Sequence, residues 1–169
     1  MPMFRECAGQ KPFSEVWRLA SRTQPEKRKK ERISIKVKGR TIAKGRAEGE
    51  VLLSCDPISF LGSVDPKSGT VVEKGHALYG KSIKGKILIF PHGKGSTVGS
   101  YVMYQLKKNK AAPVAIINLE TEPIVAVGAI ISEIPLLDKL EKNPYEFLKD
   151  GDRVRINAGE GFLETLEKA

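Results

Sequence analysis

Cysteine is scarce in this chain: Cys7 and Cys55 are the only two among 169 residues. Two cysteines cannot build a disulfide framework. Together with the only histidines, His76 and His92, they show no metal-ligand spacing, so no metal residue is expected. Long apolar runs are missing too. No stretch approaches the ~18 residues of a membrane span, and the N-terminus lacks the apolar core of a secretory signal. A soluble, cytoplasmic protein without a membrane partner is expected. Aromatic residues are 7% of the chain, and no basic stripe interleaved with aromatics runs through its main part. That argues against nucleic acid as the partner of the core.

Apolar residues, by contrast, make up 40% of the chain, enough for a packed core in one domain, or one domain plus a tail. The formal charge of +9 is unevenly placed. Residues 1–32 hold nine Lys/Arg against four acids, so five of the nine excess charges lie there. Its run Glu26-Lys27-Arg28-Lys29-Lys30-Glu31-Arg32 reads as a solvated, disordered basic extension. Phosphate binding by such a tail, as in a small nucleic-acid-binding module, is the alternative. A start upstream of the true one is a third reading, because regular patterning begins only near Ile33. The folded domain is expected over 33–169.

From Ile33, apolar and polar residues alternate to Val37, a period-2 strand ending at Gly39. Extended pieces follow at Thr41–Arg46 and Gly49–Ser54, then a turn-rich loop with a short strand at Thr70–Val72. Lys86–Phe90 (KILIF) is a continuous apolar run suited to a strand covered on both faces. A three-turn helix should follow. Ser96 or a neighbour caps it, Val98, Tyr101, Val102 and Leu106 form its apolar side, and Lys107, Lys108 and Lys110 sit at its end. Val114–Ile117 is the next strand, expected parallel through a right-handed crossover. Ile124–Ser132 tilts toward helix, Ile134–Leu137 is a short strand, and Pro144–Lys149 is a helical turn capped by Asn143. Asp152–Asn157 and Phe162–Leu166 form a terminal hairpin. The fold class is α/β, β-rich at both ends, with a mixed sheet or barrel-like core and two or three helices.

The segment GKGSTVGS at residues 93–100 carries the most chemistry. Gly93, Gly95 and Gly99 let backbone approach a ligand closely, and the amides of the helix start favour an anion. It is not a phosphate-binding P-loop, since Gly93-Lys94 is followed by Gly95, nor is it a dinucleotide fingerprint. Ser96, Thr97 and Ser100 supply hydroxyls, and Lys94 lies two residues from Ser96. At a helix N-terminus beside an ammonium, a serine oxyanion becomes accessible as a base. An ordinary strand–helix turn is the competing reading. Ser63 and Asp65 on the loop FLGSVDPKSGTV could reach the same ligand or simply form a turn. Asn118, Glu120 and Thr121 project where open α/β sheets bind ligands, although Glu120 could equally be solvated. His76 and His92 are weaker candidates.

Five segments together carry a family resemblance: GRAEGEVLLS (45–54), ISFLGSVDPKSGTV (58–71), GKILIFPHGKGSTVGSYVMYQL (85–106), APVAIINLETEPIVAVGAIISEIPLLD (112–138) and GDRVRINAGEGFLE (151–164). Over about residues 41–166 the chain resembles the swivel-domain half of the aconitase X family, in its archaeal phosphomevalonate dehydratase branch. The resemblance implies a swivelling β/β/α domain that docks on a separate large subunit as a heterodimer. That partner would carry an iron–sulfur cluster not bound by this chain. The pair would remove water from mevalonate 5-phosphate, a phosphorylated hydroxy acid, in an isoprenoid route. Hydroxyproline dehydration by relatives is the nearest alternative.

The family's serine base maps onto Ser96, with Gly93, Lys94, Gly95, Thr97, Ser100 and Ser63 shaping the substrate site. Relatives outside this branch place an arginine beside the serine. None is adjacent here, so Lys94 or a basic residue of the partner would stabilise the alkoxide.

Overall fold

The computed structural model describes residues 34–94 and 97–166; the basic extension, Gly95 and Ser96 lie outside them. Eight strands form one mixed sheet: β1 (Lys36–Lys38), β2 (Arg40–Ala43), β3 (Arg46–Leu53), β4 (Lys86–Phe90), β5 (Ala115–Asn118), β6 (Leu136–Asp138), β7 (Arg153–Asn157) and β8 (Phe162–Leu166). Among the described residues four helices accompany them: α1 (Phe60–Ser63), α2 (Gly99–Lys108), α3 (Pro123–Ile131) and α4 (Pro144–Phe147). α1 and α4 are single turns, and α1 is irregular, with Leu61 extended and Gly62 at φ 86°.

The strand order is β1-β8-β7-β3-β4-β5-β6-β2. Its two end strands are consecutive in the chain, separated by Gly39 alone. One extended segment therefore pairs antiparallel with β8 through β1 and with β6 through β2. The sheet closes on itself into the expected barrel-like core, which leaves no long free edge. At the crossing point the Gly39 N–H donates to the Gly161 carbonyl at 2.8 Å. A Cβ on Gly39 would stand 2.5 Å from the Leu140 side chain, so no other residue fits there without displacement.

Strands β3, β4, β5 and β6 run parallel to one another, as the crossover reading required. Their apolar runs are buried on both faces because each faces a separate core. Leu52, Leu88, Phe90, Ile116 and Leu136 point toward α2 and α3, where Val102, Met103, Leu106, Val125 and Ala129 complete the layer. The intervening residues Val51, Leu53, Ile87, Ile89, Ile117 and Leu137 fill the barrel interior with Val154, Ile156 and Leu163. Tyr145 on α4 is also buried there, its hydroxyl donating to the Ser54 carbonyl at 2.6 Å; burial pushes its phenol well above the ordinary range. In β7 the alternation is clean: Val154 and Ile156 face inward, while Arg153 and Arg155 reach Glu48 on β3.

Several expectations shift. The short strand at Thr70–Val72 is absent; the segment makes only isolated bridges, Val64 to Val71 and Thr70 to Ser82. Strand β3 begins at Arg46 because β7 pairs with it from Arg46 onward. Strand β6 begins at Leu136, since the Ile134 N–H turns back to the Ala129 carbonyl at the end of α3. Helix α2 starts at Gly99 with Val98, which makes no side-chain cap bond, at its cap position; Ser96, the expected cap, lies outside the described residues. Its buried face is Val102, Met103 and Leu106, whereas Val98 and Tyr101 are exposed. Lys107 and Lys108 do occupy its last turn, where cations suit the dipole. Asn143 caps α4 as expected, accepting from the Tyr145 N–H.

Candidate active site

The carboxyl ends of β4 and β5 are where parallel strands leave backbone groups open to a ligand. Beyond Phe90 the chain runs Pro91-His92-Gly93-Lys94 alongside Ile58. The Ile58 N–H donates to the His92 carbonyl, and the Lys94 N–H donates back to the Ile58 carbonyl at 3.0 Å. Gly93 is buried in this pairing. A Cβ there would lie 2.5 Å from a Val125 methyl and 2.7 Å from the Glu122 carboxylate, so close approach demands glycine.

On the β5 side, Pro91 supplies one carbonyl to both the Leu119 and Glu120 N–H groups. The buried Asn118 amide donates to the Phe90 carbonyl, and its oxygen accepts from the Thr121 hydroxyl. Asp138, fully buried at the end of β6, accepts from the Thr121 N–H at 2.8 Å and from two nitrogens of Arg40 at 2.8 and 2.7 Å. Burial alone would raise the Asp138 carboxyl, but the Arg40 and Thr121 hydrogen bonds and the Arg40 charge hold it below the ordinary range. These bonds set the wall of an open depression of about 350 Å³ lined by His92, Gly93, Glu120, Thr121, Glu122 and Pro123. The depression thus joins the glycine-rich turn to the Glu120–Thr121 segment, as the strand-end reading anticipated. His92 lines it as well, although its Nδ1 is engaged by the Gly93 carbonyl.

Ser63 and Lys94 are also brought together, through a residue that the sequence did not single out. The Ser63 hydroxyl donates to Glu73 Oε2 at 2.6 Å, and Lys94 Nζ donates to Glu73 Oε1 at 3.1 Å. The Ser63 hydroxyl first, and the Lys94 ammonium second, hold the Glu73 carboxyl below its ordinary range. Glu73 lies in an irregular loop with no periodicity around it, so only the fold reveals the link.

Asp65 does not join this group. It accepts from the Lys67 N–H and the Ser68 hydroxyl within its own turn, which is the ordinary-turn alternative. Ser100 donates to the Thr97 carbonyl and lies where α2 and α3 pack closely, its Cα 3.1 Å from where a Cβ on Gly128 would sit. Thr97 is exposed at the helix start. His76 is buried, its Nδ1 accepting from the Leu78 N–H and its Nε2 bonded to the Pro57 carbonyl, a loop-bracing role. Gly95 and Ser96 lie outside the described residues. Among the described residues, no group of three or more His, Cys, Asp or Glu is placed to hold a metal ion.

The same architecture occurs in known proteins. The phosphomevalonate dehydratase small subunit of Methanosarcina mazei is 77% identical over 136 residues, covering 80% of this chain and 94% of that protein. The subunit of the same description from Thermococcus kodakarensis is 56% identical over 133 residues, covering 79% of this chain and 98% of that protein. The crystal structure of Thermococcus kodakaraensis aconitase X in its holo-form includes a chain that superposes with a TM-score of 0.75. That chain is 56% identical, with 79% of this chain and 99% of that one covered. The family model for the aconitase X swivel domain matches residues 36–165, and the chain belongs to that family.

Proposed function

We propose that this chain is the small subunit of a two-subunit hydro-lyase that dehydrates mevalonate 5-phosphate, with Ser96 as the proton acceptor. The observation that carries the reading is the near-full-length likeness to small subunits described as phosphomevalonate dehydratase, 77% identical in the Methanosarcina mazei case. The geometry supports it. A glycine-rich turn leads from β4 into α2 beside an open depression at the strand ends, a setting that suits an anion.

Dehydration requires a base for a carbon-bound proton and a means of releasing the hydroxyl. The residues of this chain do not fit an iron–sulfur cluster, because two cysteines cannot supply three thiolates. The cluster is assigned to the large subunit, and the proton transfer assigned here does not pass through it. In this scheme the oxygen of Ser96, which precedes α2 in the chain, takes the proton. Lys94, two residues before it, offers positive charge to the alkoxide or the substrate anion. Val98 at the α2 start makes no side-chain cap bond, which leaves backbone amides there suited to a substrate oxygen. Gly93, Gly95, Thr97 and Ser100 shape this turn, and Ser63 flanks it. The catalytic unit spans 33–169, and residues 1–32 are a basic extension outside it.

The test is co-purification with a cysteine-bearing large subunit, followed by assay of the pair. Water loss from mevalonate 5-phosphate by the pair, and by neither subunit alone, is the expected result. Turnover of a hydroxyproline with none of mevalonate 5-phosphate would overturn the substrate assignment.

A further inference from the structure

We infer that Glu73 is a positioning residue of this site, holding Lys94 at a set place beside the segment that carries Ser96. The inference deepens the serine-base reading and rests on it for its catalytic consequence. Glu73 sits between two loops that backbone pairing already brings side by side. Its Oε2 accepts from the Ser63 hydroxyl at 2.6 Å and its Oε1 from Lys94 Nζ at 3.1 Å. An exposed lysine–glutamate pair orders little by itself, because both side chains keep many rotamers. Here the third member changes the case. Ser63 is buried, at 4% exposure, and its backbone is anchored by the Val72 N–H, which donates to its carbonyl. One carboxylate oxygen is therefore tied to a rigid point, and the other presents a stationary acceptor to Lys94.

Lys94 itself is about half exposed, so without that acceptor its stem would be free to swing into solvent. An ammonium has three donors. With one spent on Glu73, two remain for the Ser96 oxygen or a substrate anion. In this proposal Glu73 acts through Lys94.

The kinetic test uses the reconstituted two-subunit enzyme. Glu73→Gln keeps the size of the side chain but removes its charge and one of its two acceptor oxygens, so the ion pair with Lys94 is lost and one oxygen is left for Lys94 and Ser63 together. It is expected to lower kcat about tenfold while KM stays within about threefold, the pattern of a misplaced group rather than of lost substrate binding. Glu73→Asp restores the charge and should recover a large part of the loss. The double variant Glu73→Gln/Lys94→Met should be no slower than Lys94→Met alone, because the proposal routes the effect of Glu73 through Lys94. A kcat within twofold of wild type in Glu73→Gln, or losses that multiply in the double variant, overturns the assignment. Should Glu73→Gln not fold, Ser63→Ala carries the test: it frees the anchored oxygen and should lower kcat, and an unchanged kcat overturns the proposal.

A second readout needs no turnover. In 15N NMR of the full chain, the Lys94 ammonium should be protected from exchange in wild type and lose that protection in Glu73→Gln. An unprotected Lys94 in wild type also overturns the proposal. If the wild-type pair fails to dehydrate mevalonate 5-phosphate, the substrate reading fails, and the ammonium readout decides the Glu73 assignment on its own.

Discussion

A carboxylate buried without water needs donors on both oxygens, and Asp138 has them from Arg40 and the Thr121 N–H. The consequence is a pH dependence with a definite sign. Because its pKa is depressed in the folded chain, the stabilisation it contributes is complete above the unfolded value, about 3.9. That stabilisation is lost as pH falls through the lower folded value. Asp138→Asn keeps the shape but removes the charge. It is expected to destabilise the chain by about 2–3 kcal/mol at neutral pH. It should also flatten the decline of stability on acidification, both read from urea unfolding at a series of pH values. An unaltered acid slope would contradict the role. Neither this network nor Glu73 was legible in the sequence, for one physical reason. Arg40 and Asp138 are 98 residues apart and meet through the β2–β6 pairing, and Glu73 and Lys94 are 21 apart and meet through backbone bonds of their loops to Ser63 and Ile58, so neither meeting is set by local pattern. Ser63 and Lys94, by contrast, could be named beforehand, because glycine-rich turns advertise themselves.

At the level of elements, local pattern was informative wherever it expressed burial. KILIF became β4 to the residue, since a strand between two cores must be apolar at every position. Pro123 and Pro144 mark the first turns of α3 and α4, where a missing N–H costs nothing. The pattern was uninformative where distant partners decide. β3 extends back to Arg46 only because β7 pairs with it, and Val71 is buried in a loop without belonging to a ladder. The segment Pro91–Lys94 illustrates how an element edge becomes a site. Its pairing with Ile58 pulls Gly93 under Val125 and Glu122 of the α3 start. Gly93→Ala therefore forces a methyl into occupied space and should cost about 1–3 kcal/mol, measurable as a lowered thermal midpoint of the full chain. A midpoint equal to wild type would show that α3 yields without cost.

On the scale of the whole molecule, a single extended segment closes the sheet and leaves α2 and α3 on one side of it. The carboxyl ends of β4 and β5 lead into residues 92–93 and 120–123, which line the depression. The scarcity of cysteine has its meaning at this scale: in the proposed assembly the chain contributes a base and an anion-friendly turn, and its partner contributes the cluster. Among the described residues no helix is long and apolar enough to cross a membrane. The excess positive charge lies mostly in residues 1–32, outside the span 36–165 that matches the family, so the matched span is only modestly basic. The most direct test of the account is Ser96→Ala in the reconstituted pair, with assembly followed by size exclusion and turnover by loss of water from mevalonate 5-phosphate. The account predicts an intact complex with turnover lowered at least about a thousandfold, the scale of losing an essential proton acceptor; an intact complex with near-normal turnover would contradict it.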